Sequence, residues 1–393
     1  RDWSVTGVQT CALPICPEVT RRAPPKTTHR RQHVTLTRIK LLSRFDPREW
    51  ARYFPAGDGR WGDCQFLFER DARDYDWLAA YDDIPPQPDG RRDEAREALA
   101  CPAANTLLVT TEPSSIKAYG RGFAAQFGHV LTTQPDWALP HPRRHFQQAA
   151  NHWFYGSGAG TWMSRDELLA GPSPNMKTAA ISTVYSSKRQ WHTHHAQRFA
   201  FIAAMRERLP EMALFGRGAT PMDDKAEALA PFRYHLAVEN HIAPHHFTEK
   251  LSDAFLGRCL PFYAGAPNAG DYFPPDSFIP IDIRDPDGAA RTIRAAIATN
   301  AWQQRRDAIE AARQRVLEHH HLFAVIARIV AAAARTGAGY TPATTTILSR
   351  HAWRKAHPLG SGLHMLEKAY VRIRALWHAH HGDGTTDAQG TRR

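Results

Sequence analysis

Short apolar runs recur along the chain, each ending in polar or turn-forming residues, and they alternate with segments of helical period. In the N-terminal part the apolar members Val34, Leu36, Ile39 and Leu41 predict a first strand over Val34–Leu42. Trp77–Tyr81 predicts a second, closed by Asp82 and Asp83. Asn105–Thr111 predicts a third, ending at Glu112 and Pro113, and Gly128–Thr133 a fourth. Between them PPQPDG at 85–90 reads as a loop and Glu94–Ala100 as a short helix. Further on, Ala179–Tyr185 and Ala213–Phe215 read as strands around a helix over His195–Leu209. Tyr234–Val238 is an apolar strand that stops abruptly at Glu239-Asn240. A helix opens near Phe247 or Thr248, with Leu251, Ala254 and Phe255 at i, i+3 and i+4 and Gly257 where it stops. Leu260–Tyr263 and Phe278–Ile283 read as the next strands, and Arg291–Ala298 and Trp302–Ala334 as helices.

Alternating strands and helices predict parallel sheets of Rossmann type, which bind ligands beyond the carboxyl ends of their strands. Two such regions are expected, over 33–170 and 176–340, joined by the Gly/Pro-rich linker GPSPN at 171–175. A basic tail follows over 341–393. Residues 1–32 are set apart. The opening RDWSVTGVQTCALPIC reads as translated sequencing-adapter sequence, and it lacks the basic start and apolar core of a signal peptide. The basic stretch after it is expected to be disordered.

The 393 residues suit two or three domains, and 42% hydrophobic content supports proper cores. No apolar run approaches the ~20 residues that span a bilayer. The five cysteines form no CxxC pair, and free thiols in a reducing compartment are expected. A net charge of +11 fits nucleic acid, anionic lipid or phosphorylated ligands without separating them.

Spacing narrows the chemistry. Glu239 and Asn240 fall at the carboxyl end of a strand. Thr248, Glu249 and Lys250 fall at a helix N-terminus, where free N–H groups and the helix dipole favour a phosphate. Lys250 adds a point charge, and Glu249 can accept hydrogen bonds from sugar hydroxyls. By spacing alone, a carboxylate and a lysine in a first helical turn are most often solvated surface charges.

The run from Arg233 to Asp285 resembles the donor-binding signature of the family-ten glycosyltransferases, the α-1,3/4-fucosyltransferases. It has an apolar strand, Glu-Asn, Thr-Glu-Lys, Leu-Pro, Gly and a Phe-Ile strand. The match is dense there and thinner over about 40 to 340. The resemblance implies a GT-B fold, two Rossmann-like domains facing across a cleft. It implies GDP-fucose as donor, a glycan or glycolipid acceptor, and inversion at the sugar carbon without a required metal. It places Arg198 and Lys250 on the donor phosphates, with Lys188 a weaker candidate. Glu249 and Asn240 would bind sugar or ribose hydroxyls, and Glu239 would support the loop or contact the donor. Glu112, in TTEPSS after a first-domain strand, would be the catalytic base, with Asp82 and Asp83 as the next candidates. One position departs: the family usually carries Tyr where this chain has His246, which keeps a different nucleotide sugar open as donor.

Other features are read more plainly. The histidine groups at 192–195, 241–246 and 319–321 lack partners at zinc-site spacing, so no metal site is expected. Asp74-Tyr75-Asp76 precedes a strand rather than following one, and reads as a surface turn. The glycines of FYGSGAGTW lack the GxGxxG spacing and suit a mobile cleft loop. A non-catalytic nucleic-acid-binding protein is the remaining alternative, but no nucleic-acid-binding motif is present. Near the C-terminus Leu363, Leu366, Tyr370, Ile373 and Trp377 form an apolar helical stripe. Residues 351–393 carry seven Lys/Arg against three Asp/Glu. Such a helix either docks on its own protein or lies on an anionic membrane face. A cytoplasmic enzyme, peripheral on the membrane, is the expectation.

Overall fold

The computed structural model describes residues 36–149, 151–158, 160–171, 177–186, 195–336 and 340–381. Residues 1–32, most of the 171–175 linker and Lys188 lie outside them.

Two sheets organise the chain. The first has seven strands, in the order Arg60–Trp61, Cys64–Leu67, Thr37–Leu42, Trp77–Tyr81, Thr106–Val109, His129–Thr132, Arg144–Phe146. Only the first pair is antiparallel. From Thr37–Leu42 the chain moves outward to Cys64–Leu67, then returns to build Trp77–Tyr81 on the other side. That reversal opens a crevice beyond Leu42 and Tyr81, where such sheets hold ligands. The second sheet has five parallel strands, in the order Ala213–Arg217, Ala179–Ser186, Phe232–Val238, Leu260–Ala264, Ile279–Pro280. Its reversal lies between Ala179–Ser186 and Phe232–Val238, directly before Glu239.

The strands are apolar because both faces are covered. Trp77–Tyr81, Thr106–Val109, His129–Thr132 and Leu260–Ala264 are buried at every position. Helices Glu249–Leu256 and Pro286–Ala298 pack on the second sheet through Leu251, Ala254, Phe255, Ala290 and Ile293. After the second sheet the chain returns to the first. Phe323, on helix Leu322–Thr336, sits among Phe54, Phe66 and Trp50, with ring centroids 4.4, 4.9 and 5.4 Å away.

Three expected elements differ. Residues 94–100 do not form a helix. Arg96–Ala98 is a strand paired antiparallel with Thr346–Leu348. Its Glu97 is buried and accepts from the Lys40 ammonium at 2.8 Å, with the Arg70 guanidinium 3.0 Å away. The helix expected over Trp302–Ala334 is broken. It runs as Ala301–Gln304, Arg306–Arg315, a wide turn at Val316–His320, and Leu322–Thr336. Asn151 makes the break: its carbonyl accepts from Leu322 N–H (3.0 Å) and its amide donates to His320 C=O (3.1 Å). The strand expected over Phe278–Ile283 shrinks to Ile279–Pro280 at the sheet edge, where the Ile281 N–H makes a last bond to Tyr263 C=O at 3.0 Å. The C-terminal helix forms, as Pro358–His381, but does not dock through its apolar stripe. His364 and Val371 are buried instead, while Leu363, Leu366, Tyr370 and Ile373 are exposed.

The Lys40–Glu97–Arg70 group predicts a stability cost that a helical Glu97 on the surface would not. Glu97→Ala leaves the Lys40 charge buried without its counter-charge, and should cost about 3–5 kcal/mol in denaturant unfolding. A loss below ~1 kcal/mol, typical of an exposed pair, would show that the charge is solvated.

Candidate functional site

Glu239 is where the second sheet meets its crevice. Its N–H extends the ladder to Ala264 C=O (2.8 Å), and its side chain is fully buried. A buried carboxylate persists only when its oxygens are satisfied. One oxygen accepts from the Thr248 N–H at 2.8 Å and the other from the Thr248 hydroxyl at 2.7 Å. The Lys250 ammonium stands 3.3 Å away. Gly265 makes the room: a Cβ there would lie 2.0 Å from the Tyr263 hydroxyl and 2.6 Å from Glu239 Cγ. Thr248 in turn caps helix Glu249–Leu256. The strand end and the helix start are thus locked to each other by one side chain.

Lys250 lies between two carboxylates, 3.0 Å from Glu249 and 3.3 Å from Glu239. Burial works against its charge, but these two neighbours outweigh burial and raise its pKa. Burial likewise works against the Glu249 carboxylate. Lys250 and then Lys225 overcome it and hold the pKa well below the usual glutamate value. Lys225 is 3.8 Å from Glu249 and is itself anchored by the buried Asp253 at 2.8 Å. Lys250 and Glu249 therefore stay ionised at neutral pH.

Arg198, on helix His195–Arg208, is buried against the same crevice. Its guanidinium donates to Asn240 Oδ1 (3.0 Å) and Val184 C=O (2.8 Å). Its buried Nε–H has no hydrogen-bond partner among the described residues. Burial lowers its pKa, and Glu239 and Glu249 pull the other way, so the arginine sits in the field of both. His246 is buried, with Nδ1 3.4 Å from the Thr133 hydroxyl at the end of a first-sheet strand. His241 reaches Ser115 at 3.1 Å. The loop after Glu239 therefore touches both halves of the molecule.

On the first sheet, Glu112 follows strand Thr106–Val109 and is exposed. Desolvation raises its carboxyl pKa, Lys117 and Lys250 lower it, and Asp82 and Glu249 raise it further. Its electrostatic neighbours thus come from both halves. Asp82, at the end of Trp77–Tyr81, holds a positive φ of 76°. It accepts from Lys117, from the Tyr119 hydroxyl (2.6 Å) and from the Thr111 hydroxyl (2.8 Å). Burial would raise its pKa, but the Lys117 charge outweighs this and keeps it low. Asp83 is buried and taken up by the Arg350 N–H (3.0 Å) and guanidinium (3.2 Å). A carboxylate so engaged is a poor proton acceptor, which leaves Glu112 as the freer of the three.

Residues 175–295 match the family model described as glycosyltransferase family 10 (fucosyltransferase), C-terminal domain. That stretch is similar to the C-terminal domain of family 10 glycosyltransferases. The matched stretch spans Arg198 and everything from Glu239 to Lys250. Two doubly wound sheets meeting at their strand ends form the GT-B arrangement. No curated protein matches the sequence. Among solved structures, an α1,3-fucosyltransferase with GDP is similar at 14% identity and a TM-score of 0.42, over 77% of this chain and 96% of that one. The same kind of enzyme with GDP-fucose is similar at 14% and 0.39, over 78% and 95%. A glycosyltransferase from Rickettsia africae ESF-5 is similar at 10% and 0.42, over 76% and 97%.

Of the residues expected at the family 10 site, Arg198, Glu239, Asn240, Glu249 and Lys250 form one electrostatic group, with Glu112 in the field of two of them. His246 lies beside the group, and its hydrogen bond crosses to the first half. Lys188, His192 and His194 lie outside the described residues. Among the described residues no group of three or more His, Cys, Asp or Glu is placed to hold a metal ion. Asp74 pairs with Arg38, and Asp76 accepts from the Arg38 N–H at 2.8 Å. Lys225, Asp253, Lys117 and Tyr119 had no sequence signal. Each joins the site through a partner more than 25 positions away.

Proposed function

We propose that this chain transfers fucose from GDP-fucose to a hydroxyl of a glycan acceptor, with inversion at the anomeric carbon. The observation that carries the reading is the family 10 match over 175–295, which encloses the crevice group from Arg198 to Lys250. Lys250 and Arg198 hold the pyrophosphate, and their fixed charges stabilise the charge that grows on GDP as it leaves. Glu249, held ionised between two lysines, accepts hydrogen bonds from sugar or ribose hydroxyls. Glu112 takes the proton of the acceptor hydroxyl. The oxygen then attacks the anomeric carbon from the face opposite GDP, and the bond to the β-phosphate oxygen breaks with its electron pair going to GDP. A raised pKa suits Glu112 to this task, because a stronger base takes the proton more readily. The second reading, transfer from another nucleotide sugar, follows from His246 in place of the family's tyrosine. Nucleotide release measured across GDP-fucose, GDP-mannose, UDP-glucose and UDP-N-acetylglucosamine separates the two. GDP-fucose should turn over fastest, and turnover confined to a UDP-sugar would overturn the first.

Lys250→Ala should weaken GDP-fucose binding by on the order of 1.5–3 kcal/mol, the worth of one charge-assisted contact. Unchanged affinity in calorimetric titration would remove Lys250 from the phosphate site.

We further propose that helix Pro358–His381 rests on an anionic membrane near glycolipid acceptors. The support is its exposed stripe, Leu363, Leu366, Tyr370 and Ile373, flanked by Lys368, Arg372 and Arg374. Among the described residues no single helix is long and apolar enough to cross a membrane. Replacing Leu363, Leu366 and Ile373 together by Ser spares the docked His364 and Val371. Sedimentation with phosphatidylglycerol vesicles should fall at least tenfold; equal sedimentation would exclude the contact.

A further inference from the structure

Two C-terminal helices enclose a cavity that the transfer chemistry does not use. Helix Arg350–Ala356 and helix Pro358–His381 pack there against the short helix Arg121–Ala124. Glycine permits the close approach. A Cβ on Gly122 would overlap the Trp353 indole, and one on Gly360 would lie 2.8 Å from it. The indole is thereby seated between the helices and lines the cavity together with Phe123 and Leu363. The space measures about 330 Å³. Small-ligand sites run from about 300 to 1,000 Å³, so it has room for one small group.

Three arginines line the cavity against one carboxylate, Glu367, and they differ in how far their charge is met. Arg350 is taken up by the buried Asp83 at 3.2 Å. Arg121 is exposed, and its guanidinium stands 3.6 Å from Glu367, beyond hydrogen-bond length. Arg354 donates through Nε to Arg350 C=O and through Nη2 to His351 Nδ1, both at 3.1 Å. Among the described residues no carboxylate pairs with Arg354, and its Nη1 has no hydrogen-bond partner. A guanidinium without a counter-charge, set among apolar walls that screen it little, favours an anion. Its planar edge of N–H groups suits phosphate oxygens. The mouth of the cavity narrows the kind of phosphate. Leu363 lines it, is 65% exposed, and opens the apolar stripe that continues through Leu366 and Ile373. A free phosphate gains nothing from that surface. A phosphate ester carrying acyl chains gains from the arginines and from the leucines together.

We propose that this cavity binds the phosphate headgroup of an anionic phospholipid, with Arg354 and Arg121 on the phosphate and the acyl chains laid over Leu363 onto the stripe. That assignment rests on the membrane-contact reading of helix Pro358–His381 and adds the chemical group recognised there. General attraction of basic side chains to a charged surface is then joined by one defined site, built by Arg354 and Arg121 from two separate helices.

The test uses the lipid without a membrane. The full chain is titrated calorimetrically with dihexanoylphosphatidylglycerol below its micelle concentration, and separately with inorganic phosphate. The lipid should bind saturably, and inorganic phosphate at least tenfold more weakly. Arg354→Gln and Arg121→Gln should each weaken lipid binding at least fivefold with the thermal unfolding midpoint unchanged. Arg354→Lys should keep more of the affinity than Arg354→Gln. No binding by the parent overturns the site, as does parent-like affinity in both glutamine variants. Inorganic phosphate that binds as tightly as the lipid overturns the lipid assignment. Midpoints that fall in step with lipid affinity in both variants overturn the site too, because the arginines would then act on the fold. A parent that binds the dissolved lipid but does not sediment with phosphatidylglycerol vesicles contradicts the membrane-contact reading alone.

Discussion

The buried carboxylate of Glu239 is the constraint on which the rest of the site depends. It cannot be left unpaired away from water, so the backbone N–H and hydroxyl of Thr248 and the ammonium of Lys250 must come to it. Satisfying that one group fixes the loop between strand and helix, the start of the helix, and the place of Lys250. Lys250 then fixes Glu249, and Lys225 and Asp253 close the chain of charges from the other side. Charges held this way need not reorganise when charge develops on a departing nucleotide, which is the source of electrostatic catalysis.

The first sheet supplies a different environment. Asp82 is saturated by Lys117, Tyr119 and Thr111, and Asp83 by Arg350. Glu112 stands exposed among them with its proton affinity raised. One half thus holds the Glu249 carboxylate ionised between lysines, and the other a Glu112 carboxylate made more basic. Groups with opposed tuning, facing each other at the ends of two parallel sheets, suit a reaction in which one side binds an anion and the other accepts a proton.

Much of this was legible in the chain itself, for a physical reason. Tyr234–Val238 is buried at every position and apolar apart from His235, so its abrupt end at Glu239 marked the crevice. Thr248, Leu251, Phe255 and Gly257 carry the cap, face and stop of a helix in local order. Where long-range pairing overrode local preference, the reading missed. DEAREALA has the composition of a helix, but Glu97 is drawn into a buried ion pair and Arg96–Ala98 pairs with a strand some 250 positions away. The long helix after Trp302 breaks because Asn151, far upstream, takes its backbone groups at 320 and 322.

In the proposed reaction labour is divided across the cleft: the second half would hold the donor and Glu112 alone would take the proton. Glu112→Gln tests that division most directly. The amide keeps the size of the carboxylate but accepts no proton at neutral pH. Fucose transfer should fall by ~10²–10⁴, the worth of a positioned general base, while calorimetric GDP-fucose affinity stays at the parent value. Transfer at close to the parent rate, or a loss of donor affinity that matches the loss of turnover, would contradict it.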